Sequence, residues 1–403
     1  MIKMRHEIMF PPHNDYEICN YLKNIWESGW LDEYSDEHFL IKAIENRLTT
    51  FLGYTQMINN EPNLHGVIKS NGIIDNASFN SNFCMNLSGR LACLEDTFGK
   101  EHIEKFVKDQ LSAGKQNYNE DTFFEALSEI SILYFYASRC NWKRALYEPP
   151  VEKTKSTKNP EACFIGEFEF DDTTRDVVIN IEVKCPKFPT IEHQKNKIAI
   201  PTVLLSEEGR TQVREFCEHN GITYISPRVM KLKDFLNSAA SKFSVPKENE
   251  YNLLYINWSY CDFPSNSFLE AWSLLTNTIN GVLNHPNAAQ SLGISPDVFE
   301  KITAVIVYTD ALEGLMFLDF RNVWQVNGRG QKFRMWILNE ELRNAEISRE
   351  SDTLFNITGM KPTDELTQIA MLDYKSQTDD ERAEGAMFGV NLVNLIKQNT
   401  EHY

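Results

Sequence analysis

Glu182 and Lys184 stand two residues apart in "DVVINIEVKCPKF", Asp176 to Phe188, a run otherwise apolar enough to be a strand. Side chains alternate across a strand, so Val177, Ile179, Ile181, Val183 and Cys185 face one way and suit a core. Val178, Asn180, Glu182 and Lys184 face the other, with the acid and the base about 6.5–7 Å apart along the strand. The preceding run, "NPEACFIGEFEF", reads as a partner strand, joined through the polar turn "DDTTRD". Setting Phe170 opposite Val177 puts Glu161, Cys163, Ile165, Glu167 and Glu169 on the face of Glu182. Glu167 is then the diagonal neighbour of Glu182, and Glu161 lies farther along. Two carboxylates on one face repel unless a cation lies between them. Magnesium takes one or two carboxylates, completed by waters and substrate phosphate. A lysine beside such an ion can position an attacking water or offset charge growing on phosphorus. These residue types at this spacing suit metal-assisted phosphodiester hydrolysis.

The elements around the hairpin read as follows. "NEDTFFEALSEISILYFYASRC" predicts a helix capped by Asn119 or Asp121, with Phe123, Leu127, Ile130 and Tyr134 as one stripe. Beyond Glu129 it is apolar on almost every side, the pattern of a buried helix. A carboxylate at that position needs a partner or a metal. "KRALY" reads as a short strand before the hairpin. After it come a helix at "SEEGRTQVREFCEHNG", stopped by Gly221, and a strand at "ITYIS". A helix at "VMKLKDFLNSAASKF" and strands at "NLLYINWS" and "ITAVIVYTD" continue the alternation of an α/β core. A helix at "SFLEAWSLLTNTINGVL", short strands at "GLMFLDF" and "VWQVN", and a last helix near "GVNLVNLIKQ" are also expected. Upstream, "EHFLIKAIENRLTTFLGY" and "LACLEDTFGKEHIEKFVKDQLSAG" have helical spacing, with "SNGIIDNASFNSNF" between them as a loop.

The order helix Glu, hairpin acid, then E-x-K resembles the PD-(D/E)XK nuclease superfamily over Asp121 to Ser226, about a quarter of the chain. The resemblance implies a restriction-endonuclease-like mixed sheet flanked by helices, binding Mg²⁺ or Mn²⁺ and cutting DNA. It would make Glu129, Glu167, Glu182 and Lys184 catalytic, with Glu167, Glu182 and the Val183 carbonyl on the metal. The second-strand acid stays open, because Glu161 follows Pro160 as the family motif does, whereas Glu167 suits the hairpin register above. Lys187, Lys195, Lys197 and Gln212 follow the motif and are candidates for contact with a nucleic-acid backbone. Defence against foreign DNA is the biological setting implied. An RNA nuclease and an inactive interaction protein of the same fold remain alternatives.

Charge limits the partners. The 403 residues carry a formal net charge of −17, against a general polyanion binder. The acid is uneven: residues 141–247 hold 17 Lys/Arg against 15 Asp/Glu, and the remainder 23 against 42. The segment with the E-x-K is thus the one most permissive of a phosphate ligand. A homodimer and a protein partner on the acidic surface are both left open. Eight cysteines occur singly, with no C-x-x-C pair, which disfavours a zinc ribbon or a disulfide framework. No run of 18 apolar residues occurs and the N-terminus lacks a signal-like apolar block, so a cytoplasmic protein without a membrane span is expected. The expected divisions are a helical region to residue 120, the α/β core over 121–320, and a mixed extension from 321.

Overall fold

The structure is a computed structural model. It describes residues 4–11, 19–48, 76–139, 142–149, 159–170, 173–186, 197–199, 207–221, 223–225, 228–258, 271, 274–276, 281–284, 286–308 and 333–338. Helices are α1 (Asn20–Glu27), α2 (Phe39–Ile44), α3 (Asn76–Phe98), α4 (Lys100–Phe106), α5 (Glu120–Arg139), α6 (Glu207–His219), α7 (Arg228–Lys242), α8 (Pro286–Ser291) and α9 (Asp297–Lys301). Strands are β1 (Arg144–Tyr147), β2 (Ala162–Phe170), β3 (Thr173–Lys184), β4 (Lys197–Ala199), β5 (Thr223–Ile225), β6 (Glu250–Asn257), β7 (Ala304–Tyr308) and β8 (Phe333–Ile337). Six of them form one mixed sheet in the order β1-β2-β3-β6-β7-β8, while β4 and β5 pair separately. β1, β2 and β3 run antiparallel, β3, β6 and β7 parallel, and β8 closes antiparallel. The fold is α/β.

The period-2 alternation of β3 divides the apolar core between two faces of the sheet. Val177, Ile179, Ile181 and Val183 join Tyr251, Leu253 and Tyr255 of β6 in a cluster with α5 and the N-terminal helices. Leu254 and Ile256 of β6 point the other way, onto Leu232, Leu236, Ala239 and Ala240 of α7. That helix exposes its apolar stripe at intervals of three and four residues, so one side buries against the sheet. Asn119 caps α5, its Oδ1 accepting from Thr122 N at 3.0 Å. Gly221, with φ +62°, ends α6 as expected.

Several expectations change. The Asn/Ser stretch is not wholly a loop: α3 starts at Asn76, and Phe83, Leu87, Leu91 and Leu94 bury one side of it. Packing there overrides the weak helix propensity of Asn and Ser. The helix that follows breaks at Gly99, whose φ of +94° no helical residue adopts. The first predicted helix is short, because after Ile44 the chain turns through Asn46 at φ +55°. β4 falls in a stretch where the sequence predicts no strand. β8 lies past residue 320, the expected end of the α/β core, in a stretch given no strand. "GLMFLDF", "VWQVN" and "GVNLVNLIKQ" lie outside the described residues.

The hairpin also differs in register. Phe170 pairs with Thr173, not Val177, so only Asp171 and Asp172 connect the strands. The polar residues expected to form a wide turn are instead the first rungs of the ladder. The offset is four residues, an even number, so every side chain keeps its expected face while its partner changes.

Candidate active site

The register decides which acid meets Glu182. β2 and β3 pair Ala162 with Ile181, and Glu161 donates its backbone N–H to Ile181 O at 2.9 Å. Glu161, the residue before β2, thus lies at the end of the ladder beside Glu182, and one ammonium, that of Lys242, contacts both carboxylates. Glu167 pairs with Asp176 near the far end of the hairpin, about 20 Å away at the rise of a strand. There it is half-exposed, and Lys143 Nζ reaches it at 3.1 Å and Asp176 at 2.7 Å. Of the two acids left open by the sequence, the structure brings Glu161, which follows Pro160, to Glu182, and holds Glu167 away from it.

Glu182 is fully buried. Lys184 Nζ lies 2.5 Å from its Oε1, and a second ammonium, that of Lys242, lies 2.7 Å from the same atom. Lys242 also contacts Glu161 Oε1 at 3.0 Å, so one cation spans both acids. Neither oxygen of Glu182 accepts a hydrogen bond of good geometry from the described residues. Burial and the charge of Glu161 push its carboxyl up to about 7, against the pull of Lys184 and Lys242. Burial disfavours the charged form of Lys242, but the two carboxylates more than offset it and hold the ammonium above its ordinary range. Glu161, Lys184 and Lys242 each retain some exposure, with Glu182 beneath them.

Lys242 is the last residue of α7, where a cation complements the helix dipole. An amide network fixes the backbone near it. Asn180 of β3 donates to Asn252 Oδ1 of β6 at 2.8 Å, and Asn252 Nδ2 donates to Ser244 O and to Lys301 O, both at 2.7 Å. The chain leaving α7 is thereby tied to the strand next to Glu182.

Glu129 projects from α5 into its own polar contact. Tyr147 Oη, which accepts from Gln110 Nε2 at 3.0 Å, donates to Glu129 Oε1 at 2.9 Å. Burial, then the charge of Glu161, raises the Glu129 carboxyl well above the carboxylate range, with Glu148 and Glu182 adding to the effect. The Tyr147 hydroxyl is raised too, by burial and then by Glu129. Glu129 is electrostatically linked to the acid pair, yet its bonded partner is a tyrosine. Among the described residues, no three His, Cys, Asp or Glu side chains group closely enough to hold a metal ion. A cation here would rest on two carboxylates.

Val183 turns its side chain into the core. Its carbonyl points to the same strand edge as Ile181 O, one step past the bond from Glu161 N.

No protein-family model, curated protein or solved structure matches this chain.

Of the remaining candidates, Gln212 is exposed on α6 and Lys197 opens β4, while Lys187 and Lys195 lie outside the described residues. No helix among the described residues is long and apolar enough to cross a membrane. Sequence reasoning missed Lys242 and Tyr147. Lys242 carried a signal only in part, as a lysine closing an amphipathic helix. Tyr147 ends the short strand β1, and nothing local marks its hydroxyl as a partner for Glu129.

Proposed function

We propose that the chain is a metal-dependent nuclease with restriction-endonuclease-like architecture, hydrolysing phosphodiester bonds in DNA. The observation that carries this reading is the convergence of Glu161, just before β2, and Glu182 of β3 on one ammonium, with Lys184 two residues on from Glu182. The helix acid, the acid after Pro160 and the E-x-K supply the superfamily's residue types in its chain order. The donor set suits a hard divalent cation: two carboxylates and a neighbouring backbone carbonyl, all oxygen. Glu182 Oε2, buried and without a hydrogen bond among the described residues, is a further point of fit. Glu161, Glu182 and the Val183 carbonyl would hold Mg²⁺ or Mn²⁺, which when bound supplies Lewis acidity at the phosphoryl oxygen.

The chain's own groups do the rest. Lys184, less buried than Glu182, holds an attacking water or offsets charge developing on the phosphate. Glu129, kept by burial from ionising readily, stands behind the pair as an orienting group held by Tyr147. The near-neutral charge of residues 141–247 lets a polyanion approach this segment of an otherwise acidic protein.

Incubation with plasmid DNA and, separately, with RNA, in Mg²⁺ or Mn²⁺, tests the reading, with Lys184→Ala as control. DNA cleavage lost in the variant is expected. Cleavage equal in both proteins discards the assignment, cleavage of RNA alone changes the substrate, and no cleavage of either polymer favours an interaction protein.

A further inference from the structure

Lys242 makes the contacts that a bridging cation would make. Its ammonium lies 3.0 Å from Glu161 Oε1 and 2.7 Å from Glu182 Oε1, facing acids that otherwise repel across the β2–β3 pair. Lys184 already supplies one positive charge to Glu182, at 2.5 Å. Resting on the metal-site reading above, we propose that Lys242 is a displaceable internal counter-ion, whose ammonium competes with a divalent cation for Glu161 and Glu182. The lone pairs that would hold the metal are those the ammonium faces, so both cannot be held at full strength.

The geometry indicates which part moves. Asn252 ties Ser244, two residues beyond Lys242, to β6, and Leu236, Ala239 and Ala240 anchor the end of α7 in the core. The backbone is thus fixed, and the flexible part is the four-carbon stem of the lysine. Its side chain keeps 13% of its surface exposed, so rotation about the stem carries the charged head to water. Displacement needs a change of rotamer and no movement of the helix. The device makes the site demand a cation concentration high enough to outcompete a tethered rival.

Isothermal titration of Mn²⁺ into the full chain, its Lys242→Met and Lys242→Arg variants, and Glu182→Gln tests this, with circular dichroism to check folding. Lys242→Met is expected to bind Mn²⁺ at least about tenfold more tightly, the worth of one hydrogen bond to a charged group. Lys242→Arg keeps the rival charge and stays near the parent, and Glu182→Gln loses binding. Equal or weaker binding by Lys242→Met overturns this inference alone. No Mn²⁺ binding by any of the proteins overturns it together with the metal-site reading. A second measurement uses the unaltered chain, so it stands even if Lys242→Met fails to fold. Acetylation of Lys242 by acetic anhydride, read by mass spectrometry, should quicken when Mn²⁺ saturates the site, and an unchanged rate overturns the proposal.

Discussion

Replacing Glu182 by Gln should change how the protein's stability depends on pH, in a direction the site dictates. Glu182 is fully buried, and burial with the charge of Glu161 lifts its carboxyl to about 7 from an ordinary 4.5. Between those values the folded chain keeps a proton that the unfolded chain has released. Stability must therefore fall as pH rises through this window, and below it the penalty is absent. Full ionisation costs about 3 kcal/mol by the linkage between a pKa shift and stability. About 2–3 kcal/mol of it falls between pH 5 and pH 8. Glutamine resembles the neutral acid and escapes the penalty, so the variant should gain that amount on its parent over this range. Glu129, relieved of the neighbouring charge, shifts the same way. Urea denaturation of both proteins at pH 5 and pH 8, in chelator, reads the difference, and any loss of packing common to both pH values cancels. Parallel pH dependence in the two proteins would refute the reasoning, showing that Glu182 ionises as readily folded as unfolded.

Other changes separate the two candidate acids and test the supports around them. Glu161→Gln should reduce plasmid cleavage by at least about 100-fold, above the range that follows loss of an outer partner. Glu167→Ala should leave cleavage unchanged and cost less than about 1 kcal/mol, as its ion pair with Lys143 is half-exposed; the reverse result would restore Glu167 to the site. Tyr147→Phe removes the hydroxyl that Glu129 accepts from, and should cost about 1–3 kcal/mol in denaturant unfolding. Gly166→Ala would bring a methyl to 2.9 Å from the Trp142 and Phe168 rings, destabilising the hairpin by about 1–3 kcal/mol in the same assay.

The faces of β3 were legible because alternation needs only the strand itself: Val177, Ile179, Ile181 and Val183 could hardly face anything but a core. The same rule is blind to an offset of two or four residues, which leaves every face unchanged. The true offset is set by the pairing of Phe170 with Thr173, and the strands' polar ends hid it. The helix carrying Glu129 was legible from its apolar circumference and its Asn119 cap. Lys242 was not, since it comes 58 residues after Lys184 and reaches the site only once α7 lies against the sheet. A lysine ending a helix is ordinary in isolation, and only its tertiary placement gives it a role. The start of α3 was hidden for a related reason, with distant apolar partners deciding the state of a locally polar run.

The order of synthesis matters for the pair at the heart of the hairpin. While only the first 186 residues have left the ribosome, two glutamates can be set against each other with no Lys242 to calm them. Correct alignment of β2 on β3 is therefore favoured most once α7 and β6 have followed, some fifty to seventy residues later. A nascent chain or a fragment ending before α7 and β6 would hold this corner loosely, so the chemistry proposed for it should awaken only once those two elements have been made.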